Sequence, residues 1–230
     1  MGTTKSSVSR FPNGIAINEI QQNMGQFILP DVTQAHVFFD DFNSIIPLGG
    51  YVLTGSAPPD ILDEDGGVVL AETTAIDNNL TSLQWFKGIF QFESGKQLWA
   101  KYTFKVSEVL QSEVVVGLQI TNITPFTGVT DGVFFRKIDG DATLQLVVVK
   151  DSIETVTDVL EMIDDTYVTV GFYFDGANKI SIFSLNEGIA KSSVLNLPDD
   201  EVLAPIFAVK TGEAAVKNLS VDYMFVAKER

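Results

Sequence analysis

The sequence predicts an all-β protein, a two-sheet antiparallel sandwich preceded by an extended N-terminal arm. Three observations carry this. Short segments that alternate apolar and polar residues recur along most of the chain, at a spacing of about 8 to 12 residues, as the strands of a sandwich do. Two of the connections carry Asp-Gly, at Asp139-Gly140-Asp141 and Asp175-Gly176, where positive φ lets a strand turn back on itself. Stretches with a helical period are nearly absent. At 230 residues, with 45% hydrophobic residues and 17 Phe, the chain suffices for one large all-β domain with a substantial core.

Residues 1–35 are unlike the rest. They are rich in Ser, Thr, Asn and Gln and show no sustained period, yet they hold spaced apolar anchors at Phe11, Ile15, Ile17, Phe27, Ile28 and Leu29. Such a segment reads either as a disordered leader or, preferably, as an arm that orders on a partner surface, because a mere leader has little need of large apolar residues. Residues 36–230 form the sandwich, with no internal repeat and no linker.

In chain order, His36 to Asn43 is a short aromatic strand, with Asp40 and Asp41 solvent-facing or hydrogen-bonded at its end. Tyr51 to Gly55 follows, then a loop from Ala57 to Gly67, since Pro58-Pro59 and Gly66-Gly67 do not support a ladder. Val68 to Glu72, Leu83 to Phe86 and Ile89 to Phe92 read as strands. In Leu98 to Ser107 the even positions are apolar and most odd ones polar, a strand with one face in the core and the other in solvent. Val114, Val116, Leu118 and Ile120 keep that parity. Val133 to Ile138 and Leu144 to Val149 form a hairpin whose second arm, apolar on both faces, is expected to be central and doubly covered. Ile153 to Asp158 reads as strand in preference to helix, being rich in β-branched residues. Val168 to Phe174 and Ile180 to Leu185 form the second hairpin. Gly188 to Leu195 and Leu203 to Lys210 follow, and the closing strand sets Leu219, Val221, Tyr223 and Phe225 against Asn218, Ser220 and Asp222.

Charge and composition narrow the function. With 15 basic against 30 acidic residues, the net charge is -15, and such a surface repels phosphate, so nucleic acid and anionic membranes are not expected partners. The absence of cysteine excludes disulfides and thiolate metal sites. The single histidine, His36, leaves no His pair for zinc and is read as structural or solvated. No strand carries the E-x-D-x-x-E pattern by which glucanases of this architecture converge two carboxylates, and Glu108, Glu113 and Asp199-Asp200-Glu201 read as solvated loop charge, so no catalytic residue is assigned. The acidic loop 60–66 tempts a calcium reading, but in the register that uses Asp63, Asp65, Gly66 and Glu72, Ile61 stands where the first ligand belongs. A solvated loop is the better reading, with no metal or cofactor. For sugar contact the candidates are Trp85 and Trp99, the latter on the polar face of its strand, where burial under a loop or a neighbouring subunit is the competing reading.

Two resemblances follow from these residues. FFDDFN, the YVTVGFYFDGANKISIFSL hairpin with its following NEG, and the closing LSVDYMFV resemble the concanavalin A-like, laminin-G-like jelly-roll sandwich. That resemblance implies first and last strands paired near a sheet edge, with the hairpin in the front sheet. The leader, SRFPNGI followed by PDVTQAHVFFDDF, is similar to the start of structural proteins of tailed bacteriophages; the matching residues are Arg10, Phe11, Pro12, Asn13 and Gly14, then Pro30, Asp31, Thr33, His36, Phe38 or Phe39, Asp41 and Phe42. It implies a head decoration or cement protein on the outer surface of the virion, assembled in the host cytoplasm. Its partners would be the major capsid protein and copies of itself, a homotrimer being favoured, and the expected docking residues are Arg10 to Gly14 and Phe27 to Leu29. The alternative is a lectin-like module that binds surface glycans.

Overall fold

The computed structural model describes residues 35–44, 49–55, 58–64, 66–185 and 196–230, together with the backbone of 188–193. The predicted arm lies outside the described residues, except Ala35, which opens the first strand. Asp65 of the acidic loop also lies outside them.

In chain order the strands are β1 (Ala35–Asp40), β2 (Tyr51–Thr54), β3 (Asp60–Leu62), β4 (Val68–Glu72), β5 (Leu80–Trp85), β6 (Leu98–Val106), β7 (Ser112–Gln119) and β8 (Gly132–Lys137). There follow β9 (Thr143–Lys150), β10 (Ile153–Glu161), β11 (Val168–Phe174), β12 (Ile180–Ser184), β13 (Gly188–Ser193), β14 (Ala204–Thr211) and β15 (Asn218–Glu229). An eight-stranded sheet runs β13-β12-β11-β6-β15-β4-β3, with β1 also on β15, and a seven-stranded sheet runs β10-β9-β8-β7-β14-β5-β2. Every pairing is antiparallel. No helix among the described residues is long and apolar enough to cross a membrane.

The alternation read from the sequence is what packs the two sheets. Leu98, Ala100, Tyr102, Phe104 and Val106 of β6 point inward with no exposure, against Val116, Phe135 and Leu146 of the opposite sheet. Tyr102 meets Phe135 edge-on at 6.2 Å between ring centres. Its hydroxyl is buried without a hydrogen-bond partner, and burial alone pushes its pKa far up. Replacing Tyr102 by Phe removes an unsatisfied polar atom at almost constant shape. The variant is expected to be more stable by about 1 kcal/mol, a rise in Tm of about 2 to 4 °C on calorimetry. The β11–β12 hairpin turns at Gly176, at φ 79°, and the Asp175 Oδ1 accepts the amides of Ala177, Asn178 and Lys179.

The first and last strands pair at a sheet edge, as the resemblance implied: among the described residues β1 pairs only with β15, on the flank of β15 that also carries β4. Four details depart from the expectations, the first of them in β15. The bulge between Val221 and Tyr223 reverses its parity: Leu219 and Val221 face the core, but beyond it Met224 and Val226 do, which turns Tyr223 and Phe225 outward. β9 is not central but second from the edge; it is nevertheless covered on both faces, with Leu144, Leu146 and Val148 in the main core and Val147 and Val149 in a second cluster. The Ala57 to Gly67 loop contains β3, which pairs with β4 at the sheet edge just after the two prolines. Ile89 to Phe92 makes only the bridge Phe90↔Leu203; its alternation is real, with Phe90 and Phe92 fully buried, but burial satisfies it without a ladder. The Ile153 segment is strand, as preferred, and forms the edge of the seven-stranded sheet.

Candidate interaction faces

Each sheet has one face in the core, so the surfaces left for a partner are the two outer faces. On the eight-stranded sheet, register aligns Phe39, Phe225, Lys101, Gly171 and Phe183 in one outward row. Val37, Ala227, Trp99, Tyr173 and Ser181 form the next row. Tyr223 lies beside them, 6.4 Å from the Phe39 ring, with the Lys101 ammonium 5.6 Å over its face. Lys105 sits 4.9 Å over Tyr167, whose pKa is pushed up to about 12, by burial first and then by Glu64 and Asp222. In a chain this acidic, an outer face built of aromatic rings and lysines is a distinct chemical surface. Phe39 is 59% exposed, whereas Trp99, Phe183 and Ala227 at the middle of the face are 1% exposed.

The outer face of the seven-stranded sheet is clothed by the segment between β7 and β8. Gln84 holds its start: its Nε2 donates to the Ile120 carbonyl at 3.0 Å, and its Oε1 accepts the Asn122 amide at 2.8 Å. Phe126 and Val129 pack on Val115, Phe134, Val147 and Ile206. Among the described residues, shallow hollows lie beside this segment, the smallest of three, about 90 Å³, between Phe126 and Lys210. One, of about 190 Å³, is lined by Phe126, Phe134, Ser152 and the ion pair of Arg136 with Glu154, two parallel hydrogen bonds at 3.0 Å. Another, of about 280 Å³, is lined by Val52, Thr54, Gln84, Thr121, Asn122 and Ile123.

The charges read as solvated are mostly paired. Glu113 bonds Lys210 at 3.2 Å, Glu108 and Glu213 share the buried Lys217, and Asp199 and Asp200 share Lys150. Asp40 accepts the Tyr51 hydroxyl at 3.0 Å and the Phe42 amide at 3.0 Å, which fixes the end of β1. His36 packs on Phe90 with ring centres 4.8 Å apart and planes tilted by 54°, and its pKa is lowered by burial, then by Arg230 and Lys228. Among the described residues no group of three His, Asp or Glu is placed to hold a metal ion.

The predicted sugar contacts are not brought together. Trp99 does face outward from β6, but it is buried there and offers no open platform. Trp85 lies in the other sheet and packs edge-on against Phe38 at 5.2 Å and Tyr51 at 5.4 Å, beside the main core. The docking residues Arg10, Phe11, Pro12, Asn13, Gly14, Phe27, Ile28 and Leu29 lie outside the described residues. The outward rings of Tyr223 and Phe225 were missed because the alternation LSVDYMFV fits two registers; Met224 and Val226, apolar at the other parity, were the signal of a bulge.

Two antiparallel sheets in this arrangement define the class: a concanavalin A-like jelly-roll sandwich. Solved structures with the same fold include arcelin-5, a lectin-like defense protein from Phaseolus vulgaris, at 9% identity over 85% of this chain and 99% of that one, TM-score 0.58. An endo-1,3-beta-glucanase from Streptomyces sioyaensis matches at 11% identity over 88% and 99%, TM-score 0.60. A protein of unknown function from Shewanella oneidensis MR-1 matches at 18% identity over 85% and 87%, TM-score 0.60. At these identities the likeness is one of fold. No protein-family model matches the sequence, and no curated protein matches it.

Proposed function

We propose that this chain is a structural virion protein, a head decoration protein that binds the major capsid protein lattice through residues 1–34 and presents the sandwich outward. What supports the reading is the leader: Arg10 to Gly14, then Pro30, Asp31, Thr33, His36, Phe38 or Phe39, Asp41 and Phe42, a pattern that resembles the start of tailed-phage structural proteins. The fold is compatible with it. The second half of that pattern runs into β1, which is hydrogen-bonded along the interior strand β15, so a pull on the arm is borne by the whole eight-stranded sheet. The excess of acidic residues keeps free subunits apart before assembly. Deleting residues 1–30 is expected to abolish binding to capsids that lack the protein, while circular dichroism shows the sandwich still folded. Undiminished binding by the shortened chain overturns the proposal.

A second reading, a glycan-binding module, draws support from the lectin-like fold and from the hollow at Phe126, Phe134 and Arg136. A glycan array separates the two: specific hits that vanish on Arg136→Ala favour the module, and an empty array favours the structural role.

A further inference from the structure

Five of the connections between strands close one end of the sandwich: residues 73–79, 107–111, 138–142, 162–167 and 212–217. The 107–111 loop ties the others together. The Leu110 carbonyl accepts the Gly140 amide at 2.8 Å, the Val109 amide donates to Asp164 Oδ1 at 2.7 Å, and Glu108 accepts from the Lys217 ammonium. The Gln111 carbonyl accepts the Gly212 amide at 2.9 Å, and Thr211 beside it donates its hydroxyl to the Ile76 carbonyl at 2.7 Å. An end knotted in this way is a rigid scaffold for the side chains it carries.

On this knot stand Ile76, Leu110, Ile138, Ile163 and Val216, one from each loop and 40 to 67% exposed. A single exposed aliphatic side chain needs no explanation. Five on loops bonded around one hub make a patch, and an apolar patch rimmed by polar groups marks a docking surface. The rim is acidic, with Asp77, Asp139, Asp164, Asp165 and Glu213 exposed on the same loops. The two lysines at this end, Lys137 and Lys217, are buried and hold the loops from within, so these loops show no cation to solvent.

We infer that this end of the sandwich docks a protein partner whose contact region is aliphatic at its centre and rich in lysine or arginine around it. Charge complementarity selects that occupant. A second copy would set acidic rim against acidic rim, and anionic lipid is repelled in the same way. A glycan asks for an open ring to stack on, whereas the five exposed side chains are aliphatic. The surface lies at the far end from Ala35: β15 starts here at Asn218 and meets Ala35 at Glu229, about 35 Å further along the strand. Docking here leaves the segment proposed to bind capsids free, so the inference stands or falls separately from that reading.

The probe is a labelled amphipathic helical peptide of leucine and lysine, titrated with the full chain and followed by fluorescence anisotropy. Saturable binding is expected, weakened by salt, and absent when glutamate replaces the lysines of the peptide or serine its leucines. Leu110→Ser with Ile163→Ser is expected to weaken binding by about tenfold or more, and Asp77→Lys with Asp139→Lys to do likewise. Val52→Ser with Ile123→Ser, exposed apolar positions beside the larger hollow of the other sheet, is expected to leave it unchanged. All these positions are exposed, and circular dichroism checks that each variant is folded. Failure of the leucine and lysine peptide to bind, equal binding of the glutamate peptide, or binding that Leu110→Ser with Ile163→Ser leaves intact overturns the inference. So does a dimer in sedimentation equilibrium that Ile163→Ser dissolves, which assigns the patch to a second copy of the chain.

Discussion

A Gly171→Val variant is expected to lose about 3 kcal/mol or more of folding stability, read as a fall in the urea midpoint at unchanged slope. Gly171 occupies an outward position of β11 between Lys101 and Phe183. A Cβ there would fall 2.2 Å from Phe183 Cζ and 2.3 Å from the Ala100 carbonyl oxygen. The second contact decides the outcome. A phenyl ring can swing aside, but the Ala100 carbonyl belongs to the ladder of β6 and cannot move without breaking the pairing of β6 with β11. Gly171→Ala is expected to cost less than Val and still to destabilise. An unchanged midpoint in the valine variant would show that the sheet absorbs a side chain at its aromatic face.

The second large effect lies at one end of the sandwich, where β6 crosses to the opposite sheet and becomes β7. Lys137 of β8 has no exposure, and its ammonium donates to the carbonyls of Val109 and Ser112 and, at 3.3 Å, to Ser112 Oγ. Lys137→Met removes the ammonium donor from both buried carbonyls, leaving Val109 only the long contact from Ser112 Oγ at 3.5 Å, and is expected to destabilise by about 3 kcal/mol. Burial lowers the Lys137 pKa to about 8, against the opposing pull of Asp139, Glu113, Asp141 and Asp164. The folded-state value then lies below the ordinary 10.5 of the unfolded chain, so between these pH values the unfolded chain binds more protons. The contribution of this group to stability is expected to rise as pH increases from 8 to 10.5 and to be constant below 8. The raised pKa values of Tyr102 and Tyr167 act in the opposite sense in both proteins, so the readout is the difference between wild type and the Met variant in chemical denaturation, which should widen in favour of wild type across that range. A difference that stays constant or narrows contradicts the assignment.

The sequence disclosed the fold wherever one register satisfied both faces of a strand. In β6 the even residues are all apolar and the odd ones, Trp99 apart, are polar, so its inward row was readable residue by residue. The β11–β12 hairpin was readable because Asp175 and Gly176 supply both the capping carboxylate and the positive φ that the turn requires. β15 was misread past Val221, since YMFV is apolar at both parities and only the bulge decides which pair enters the core. The pairing of Glu108, Glu113, Asp199 and Asp200 was not legible either: each lysine partner is 49 to 109 residues away in the chain, and only the sheet topology brings them together. The candidate face of rings and lysines escaped for the same reason, being assembled from β1, β6, β11 and β15. The functional reading rests on the leader, where a motif, and no periodicity, carries the information.

The central claim is that this chain binds capsids, and sedimentation tests it most directly. Purified full-length protein is mixed over a range of concentrations with capsids that lack it, and the pelleted fraction is measured. The account predicts binding that saturates at a fixed number of copies per particle. Protein that stays in the supernatant at every concentration contradicts it.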